Sequence, residues 1–212
     1  MYQPAHYVQA DRAIIDGLIA RHPFATLIMQ TPAGLEVNHL PLLQVAGAGG
    51  AGSPALLQGH LARANGAWKQ LGNGAPVLAV FHGEQQYITP SWYAGKAEHG
   101  KVVPTWNYEV VHVHGTARAI DDRAWVGSLV TRLTDNFERT RDKPWAVDDA
   151  PADYLDMMMK AIVGIEIRIE RIEAKSKLGQ NQPPANRASL REGLAREGHA
   201  AMAARIPPGP PA

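Results

Sequence analysis

The chain has 212 residues, with 21 Lys plus Arg against 20 Asp plus Glu, a formal net charge of +1 and no cysteine. So balanced a chain has no overall field to draw it to nucleic acid, and the missing thiols exclude disulfides, thiolate catalysis, iron–sulfur clusters and cysteine-ligated zinc. Its length suits one large domain, or one domain with a small appendage, and its hydrophobic content of 45% is ordinary for a globular protein. The lack of cysteine fits a reducing cytosol, the N-terminus does not read as a signal peptide, and no apolar run approaches the roughly 18 residues of a membrane helix. A cytoplasmic location away from the membrane is therefore expected.

Asp11 is placed to cap a short helix carrying Ala13, Ile14, Leu18 and Ile19, which Pro23 ends. "FATLIMQT" (24–31) reads as a strand, "PAG" as a turn and "LEVNHLPLLQ" (35–44) as the return strand. On that return strand Leu35, Val37, His39 and Pro41 share one face, and Pro41 loosens the pairing or marks an edge. "VAGAGGAGSPA" (45–55) lacks the Gly-Lys-Ser/Thr of a phosphate loop and reads as a surface hairpin loop. "LLQGHLARANGAWKQL" (56–71) starts as a strand and turns helical near Ala62; "APVLAVFHG" and "QQYIT" are two further strands. "PSWYAGKAEHG" (90–100) is a loop with an aromatic core, followed by a long strand from about Val103 to Ala119. Asp121 or Asp122 opens a helix to about Arg139, with Trp125, Val126, Leu129, Val130 and Leu133 at helical spacing. Asp153 caps a short helix, and "IVGIEIRIERIEA" (162–174) alternates as an antiparallel strand. One weak helix (about 187–204) and a Pro-rich end close the chain. Six or seven strands interrupted by short helices, with no βαβ rhythm, predict a mainly β architecture with flanking helices (α+β), a barrel rather than a doubly wound sheet.

Four stretches could carry chemistry. In "GHLARANGAW" the strand-to-helix turn supplies His60, Arg63 and Asn65, a possible phosphate seat on unpaired helix-start N–H groups, or else an ordinary helix start. In "QYITPSWYAG", Ser91, Trp92 and Tyr93 could wall a planar ligand or simply cover the barrel end. "KVVPTWNYEVVHVHG" puts Thr105, Asn107, Glu109, Val111 and Val113 on one strand face, with Trp106, Tyr108, Val110, His112 and His114 on the other. The His112-x-His114 pair invites a metal reading, but His82 and His99 are the nearest further imidazoles, so an unligated pair is expected and no metal. "AKSKLGQNQP" brings Lys175, Lys177, Gln180 and Asn181 just after a strand, either a solvated loop or a closure over an anionic ligand. No nucleophile-elbow sequence and no usefully spaced carboxylate pair is present.

Taken in order, "MYQPAHY", "HPFATL", "NHLPLL", "GHLARAN", "YITPSWY", "VVPTWNY", "VHVHGTAR" and "KLGQN" resemble the PaiB family of FMN-binding negative transcriptional regulators, over about residues 1–182. The resemblance implies an FMN-binding split β-barrel of antiparallel Greek-key type, a homodimer, and FMN in a cleft at the subunit interface. It implies a barrel domain over 1–182, a helical extension over 183–205 and a disordered tail over 206–212. His60, Arg63 and Asn65 become phosphate-end candidates. Thr26, Leu27, Asn38 and His39 would line the flavin ring, and Ser91, Trp92, Tyr93, Thr105, Trp106 and Asn107 would close the cleft. Lys177, Gln180 and Asn181 would contribute from the same or the partner chain. Three departures stand out: Gly66 where the family usually has Pro, Thr89 for Ser, and Gly179 where Ser is common. The implied role is negative transcriptional regulation, with any DNA contact left to a patch made by dimerisation, since no helix-turn-helix or basic recognition helix is visible. The alternatives are an FMN-dependent oxidoreductase, whose flavin would do the redox chemistry, and a haem-binding split-barrel protein using His112, His114 or His199.

Overall fold

A computed structural model describes residues 1–47, 55–72 and 74–208. Most of the Gly-rich loop and the last four residues of the expected tail lie outside these. The chain forms two compact units. One comprises residues 22–80 and 113–172, the other residues 1–21, 81–112 and 173–212.

The first unit is a sheet. Its strands are β1 (Phe24–Thr31), β2 (Gly34–Pro41), β3 (Leu43–Val45) and β4 (Leu56–Ala62), with stretches of β5 (Ala75–Ile88), β6 (Thr105–Ile120) and β7 (Ile162–Lys177). The seven run in the order β2-β1-β5-β6-β7-β4-β3, and each pairing whose register is defined is antiparallel. β1 and β2 form a tight hairpin from Phe24↔Pro41 to Thr31↔Gly34. The single return strand expected over 35–44 is two: pairing breaks at Leu42, just past Pro41, where the Leu42 N–H bonds Pro23 O instead. Val45↔Leu56 pairs the flanks of the Gly-rich stretch, as a hairpin loop requires. β2 sits at one edge and leaves Leu35, Val37 and His39 exposed, the alternation the sequence predicts. Helix α3 (Arg123–Glu138) lies in this unit, its first turn capped by Asp122 Oδ1 accepting from Trp125 N at 2.7 Å. α4 (Ala152–Lys160) follows Pro151, so Asp153 sits inside the first turn rather than at the cap.

A polar network stiffens the sheet from within. Buried Gln58 donates to Glu166 (2.7 Å) and accepts from Arg132 (2.6 Å), while Arg118 holds the other Glu166 oxygen at 2.7 Å. Each buried polar atom in it has a partner, which is what makes such a network tolerable in a core.

The second unit is built on the remaining halves of β5, β6 and β7. The two strands expected over 75–83 and 85–89 are one, since Gly83 continues β5 where a Cβ would press on Glu109 Cβ at 3.0 Å. α1 (Arg12–Arg21) is capped by Asp11, whose carboxylate accepts from Ala13 N at 2.8 Å. The loop expected at 90–100 holds a 3-10 turn (Pro90–Trp92) and the short helix α2 (Gly95–His99). The weak C-terminal helix is two, α5 (Pro184–Arg196) and α6 (Ala200–Arg205), separated at Gly198, whose φ of +86° suits glycine. These helices carry core. Leu190, Leu194, Met202 and Ile206 bury against Ile88, Trp92, Tyr93 and Leu178. Gly193 allows it, because the Trp92 ring lies 2.5 Å from where a Cβ would stand. On β6 the face of Asn107, Glu109, Val111 and Val113 is buried, while His112 and His114 on the other face are half-buried.

Candidate functional site

The second unit contains a cavity of about 300 Å³ lined by segments far apart in sequence. Tyr7 and Tyr93 supply phenols. Lys101, Val102 and Val103 come from the stretch before β6, and Thr105 and Asn107 from β6 itself. Lys177 ends β7, and Gly179, Asn181 and Gln182 form the turn beyond it. No carboxylate is among the lining residues, so two ammonium groups face amides, phenols and a hydroxyl.

Each group is held in place. Lys177 Nζ donates to Thr105 Oγ1 at 2.5 Å and to Trp106 O at 2.9 Å. Tyr7 reaches Asn181 Oδ1 at 3.2 Å. The N-terminal segment carrying Tyr7 is tied down by Lys175, a buried ammonium amid the rings of Tyr2, Tyr7 and Tyr108 at 5.4 to 6.0 Å, which donates to Tyr2 O. Burial raises the Tyr7 phenol above its ordinary value, partly opposed by Lys175, and burial likewise raises Tyr93. Both phenols are thus protonated donors at neutral pH. Gly179 turns the chain with φ +76°, a backbone conformation that suits glycine.

Asn107 stands apart. It is 1% exposed, and among the described residues its Nδ2 has no hydrogen-bond partner. An unpaired buried amide costs about 1–3 kcal/mol, so an acceptor reaching this donor, from a ligand or a water, would be stabilising.

Of the expected site residues in this unit, Tyr93, Thr105, Asn107, Lys177 and Asn181 line the cavity. Ser91, Trp92, Trp106 and Gln180 do not. Ser91 is exposed and accepts from Lys96 at 2.9 Å. Trp92 is core, its indole N–H on Glu197 at 2.7 Å. Trp106 points out, 56% exposed, edge-on to Tyr87. Gln180 folds onto its own turn, accepting from Leu178 N and donating to Ser176 O. The sequence reading missed Tyr7, Lys101, Val102, Val103, Gly179 and Gln182. Tyr7 had a signal, a phenol inside the "MYQPAHY" motif.

In the sheet unit Thr26, Asn38, His39 and Asn65 form two pairs, with Asn38 and His39 on opposite faces of β2. Thr26 and His39 are register partners, with Oγ1 and Nδ1 3.3 Å apart. Asn65 Nδ2 donates to Asn38 Oδ1 at 2.6 Å while its own Oδ1 caps the next turn at Ala67 N. Leu27 is fully buried and offers only its backbone. The phosphate seat expected at 59–68 takes another form. The predicted helix is a five-residue 3-10 turn (Gly66–Gln70), and Arg63 grips Asp121 with two bonds (2.6 and 2.8 Å) and reaches Lys160 O and Ile162 O. Four of its bonds go to the protein, so Arg63 braces this turn. His60 is half-buried, and desolvation lowers its pKa from 6.5. A neutral imidazole is the folded form, so His60 contributes stability in full above that value and loses it as pH falls below. Denaturant titrations at pH near 7 and near 5 are expected to show a smaller loss of stability for His60→Gln than for the natural chain.

Fold and cavity together define a β-barrel-type protein with a polar cavity that carries two lysines and no carboxylate among its described lining residues. A family model described as "Putative FMN-binding domain" matches residues 1–171, and the chain belongs to that family. The Protease synthase and sporulation protein PAI 2 of Bacillus subtilis (strain 168) is 29% identical over 197 residues, 93% of this chain and 90% of that protein. An uncharacterized protein of Emericella nidulans is 30% identical over 226 aligned positions, covering 92% and 90%. Among solved structures, the FAD and heme binding protein from Mycobacterium smegmatis aligns with a TM-score of 0.56 at 19% identity, over 81% of this chain and 73% of that one. The flavocytochrome Anf3 from Azotobacter vinelandii aligns at 0.55 and 14% identity, over 80% and 69%. These likenesses bear out the expected fold, a mainly β split barrel with flanking helices, and the family supports FMN as the cofactor. No helix among the described residues is long and apolar enough to cross a membrane.

Proposed function

We propose that the cavity lined by Tyr7, Tyr93, Lys101, Thr105, Asn107, Lys177 and Asn181 binds FMN, and that the working protein is a homodimer. The open amide of Asn107 carries this reading. The cavity chemistry fits the group: Lys101 and Lys177 match a phosphate monoester, and amide and phenol donors match the carbonyls of a flavin ring. Bound FMN would supply a redox-active ring, while these side chains bind and orient it. Thr26, Asn38, His39, His60 and Asn65 are proposed to act toward the cofactor in the assembled pair. The pairing is supported by the exposed apolar groups of the β1–β2 hairpin, Phe24, Leu35 and Val37, which a lone protomer would leave in water.

The regulatory role rests on the PaiB resemblance. Any direct DNA contact would come from a patch made by dimerisation. Purified protein is expected to show twin absorption bands in the blue and near ultraviolet and to sediment as a dimer. A Soret band instead would favour the haem reading. Retardation of DNA fragments at physiological salt would support the regulator, and its absence would leave the protein a flavin binder without direct DNA contact.

A further inference from the structure

Helix α5 and the turn before it lie beyond the part of the chain that the family model matches, yet they hold the cavity wall. Asn186 is 4% exposed, and both ends of its amide are used. Its Oδ1 accepts from Gly95 N at 2.8 Å, and its Nδ2 donates to Gln182 Oε1 at 3.1 Å. One turn along, Ser189 Oγ accepts from Ala94 N at 2.9 Å and donates to Asn186 O at 3.2 Å. The two N–H groups that follow Tyr93 are therefore both satisfied by α5. Gly95 fits because a Cβ there would meet His99 at 2.8 Å and Asn186 Oδ1 at 3.2 Å. Tyr93 and Gln182 line the cavity from opposite ends of this clamp.

Resting on the reading that the cavity holds FMN, we propose that Asn186 and Ser189 are positioning residues for the cofactor: they fix the Tyr93 loop and the Gln182 turn before FMN arrives. A wall set in advance loses less freedom when the ligand binds. These residues touch no cofactor themselves, so their effect should appear in affinity beyond any effect on folding.

The test titrates FMN into the full chain and follows flavin fluorescence, alongside thermal melts. Asn186→Leu should raise Kd about tenfold and Ser189→Ala about threefold, the losses expected for buried hydrogen bonds. Leu133→Ala, which removes core packing in α3 of the sheet unit, should lower Tm at least as much as Ser189→Ala yet leave Kd within about twofold. Amide exchange at Ala94 and Gly95 should quicken in both clamp variants. Folded clamp variants with natural Kd would overturn the proposal; should Asn186→Leu fail to fold, Ser189→Ala decides it. A natural chain that takes up no FMN overturns the cofactor reading and this inference with it, whereas natural uptake with unchanged variants overturns this inference alone.

Discussion

Replacing Arg205 by alanine is expected to cost about 3–5 kcal/mol of folding stability, the range for removing one partner of a buried ion pair. Glu109 lies on the buried face of β6, 3% exposed. Its two oxygens accept from Arg205 Nε at 2.7 Å and from the same guanidinium at 2.6 Å, with Ser176 Oγ a weaker third donor at 3.2 Å. The bond to Glu109 raises the Arg205 pKa, so the guanidinium stays charged throughout the accessible pH range. Arg205 is the last residue of α6, so one contact fastens the C-terminal helices to the strand that carries Asn107. Without it, a carboxylate is left in a core with one hydroxyl for company. The double variant Glu109→Gln with Arg205→Leu removes the stranded charge and should recover most of the loss. Guanidinium denaturation of the three proteins checks this. A loss under about 1 kcal/mol for Arg205→Ala would mean that water reaches Glu109 and the pair behaves as a surface bridge.

Two glycine-to-alanine changes should move stability in opposite directions. At Gly115 on β6, a Cβ would be driven into the backbone carbonyl of Arg168 and come within 2.9 Å of Ile167 Cγ2. A backbone carbonyl cannot swing aside as a side chain can, so the sheet must open locally, and Gly115→Ala is expected to cost about 3 kcal/mol. At Gly127 in α3 the nearest atom to an added Cβ is Met159 Sδ at 3.6 Å, ordinary contact. There alanine only restricts the unfolded chain and favours the helix, so Gly127→Ala should stabilise by about 0.5–1 kcal/mol. Local propensity alone would give both changes the same sign. Thermal melts of the two variants separate the accounts.

What the sequence made legible was local. Asp11 and Asp122 cap where their side chains predict, because a cap needs only its own turn. The face of Asn107, Glu109, Val111 and Val113 follows from strand parity alone. The single strand across Gly83 was hidden because glycine reads as a break unless the close approach of Glu109 is known. The grip of Arg63 on Asp121 was hidden because the two lie 58 residues apart. The cavity was half visible for the same reason. Lys177 and Asn107 sit in dense polar motifs, whereas Tyr7 meets Asn181 across 174 residues and no spacing announces it. The clamp by Asn186 was wholly hidden, since Asn186 stands just before the weak helix expected over about 187–204 and Gly95, whose N–H it accepts, lies 91 residues away.

The most direct measurement is an FMN titration of Asn107→Leu beside a melt of the cofactor-free protein. Leucine is about the same size and removes a buried amide whose Nδ2 bonds nothing among the described residues. Stripped of FMN, the variant should be as stable as the natural protein or up to about 1 kcal/mol more stable, because no buried donor is left unpaired. Its affinity for FMN should fall at least about tenfold, because that donor is then missing from the site. A variant that loses stability without FMN and binds it as tightly as before would contradict the account, since Asn107 would then serve the fold and not the cofactor.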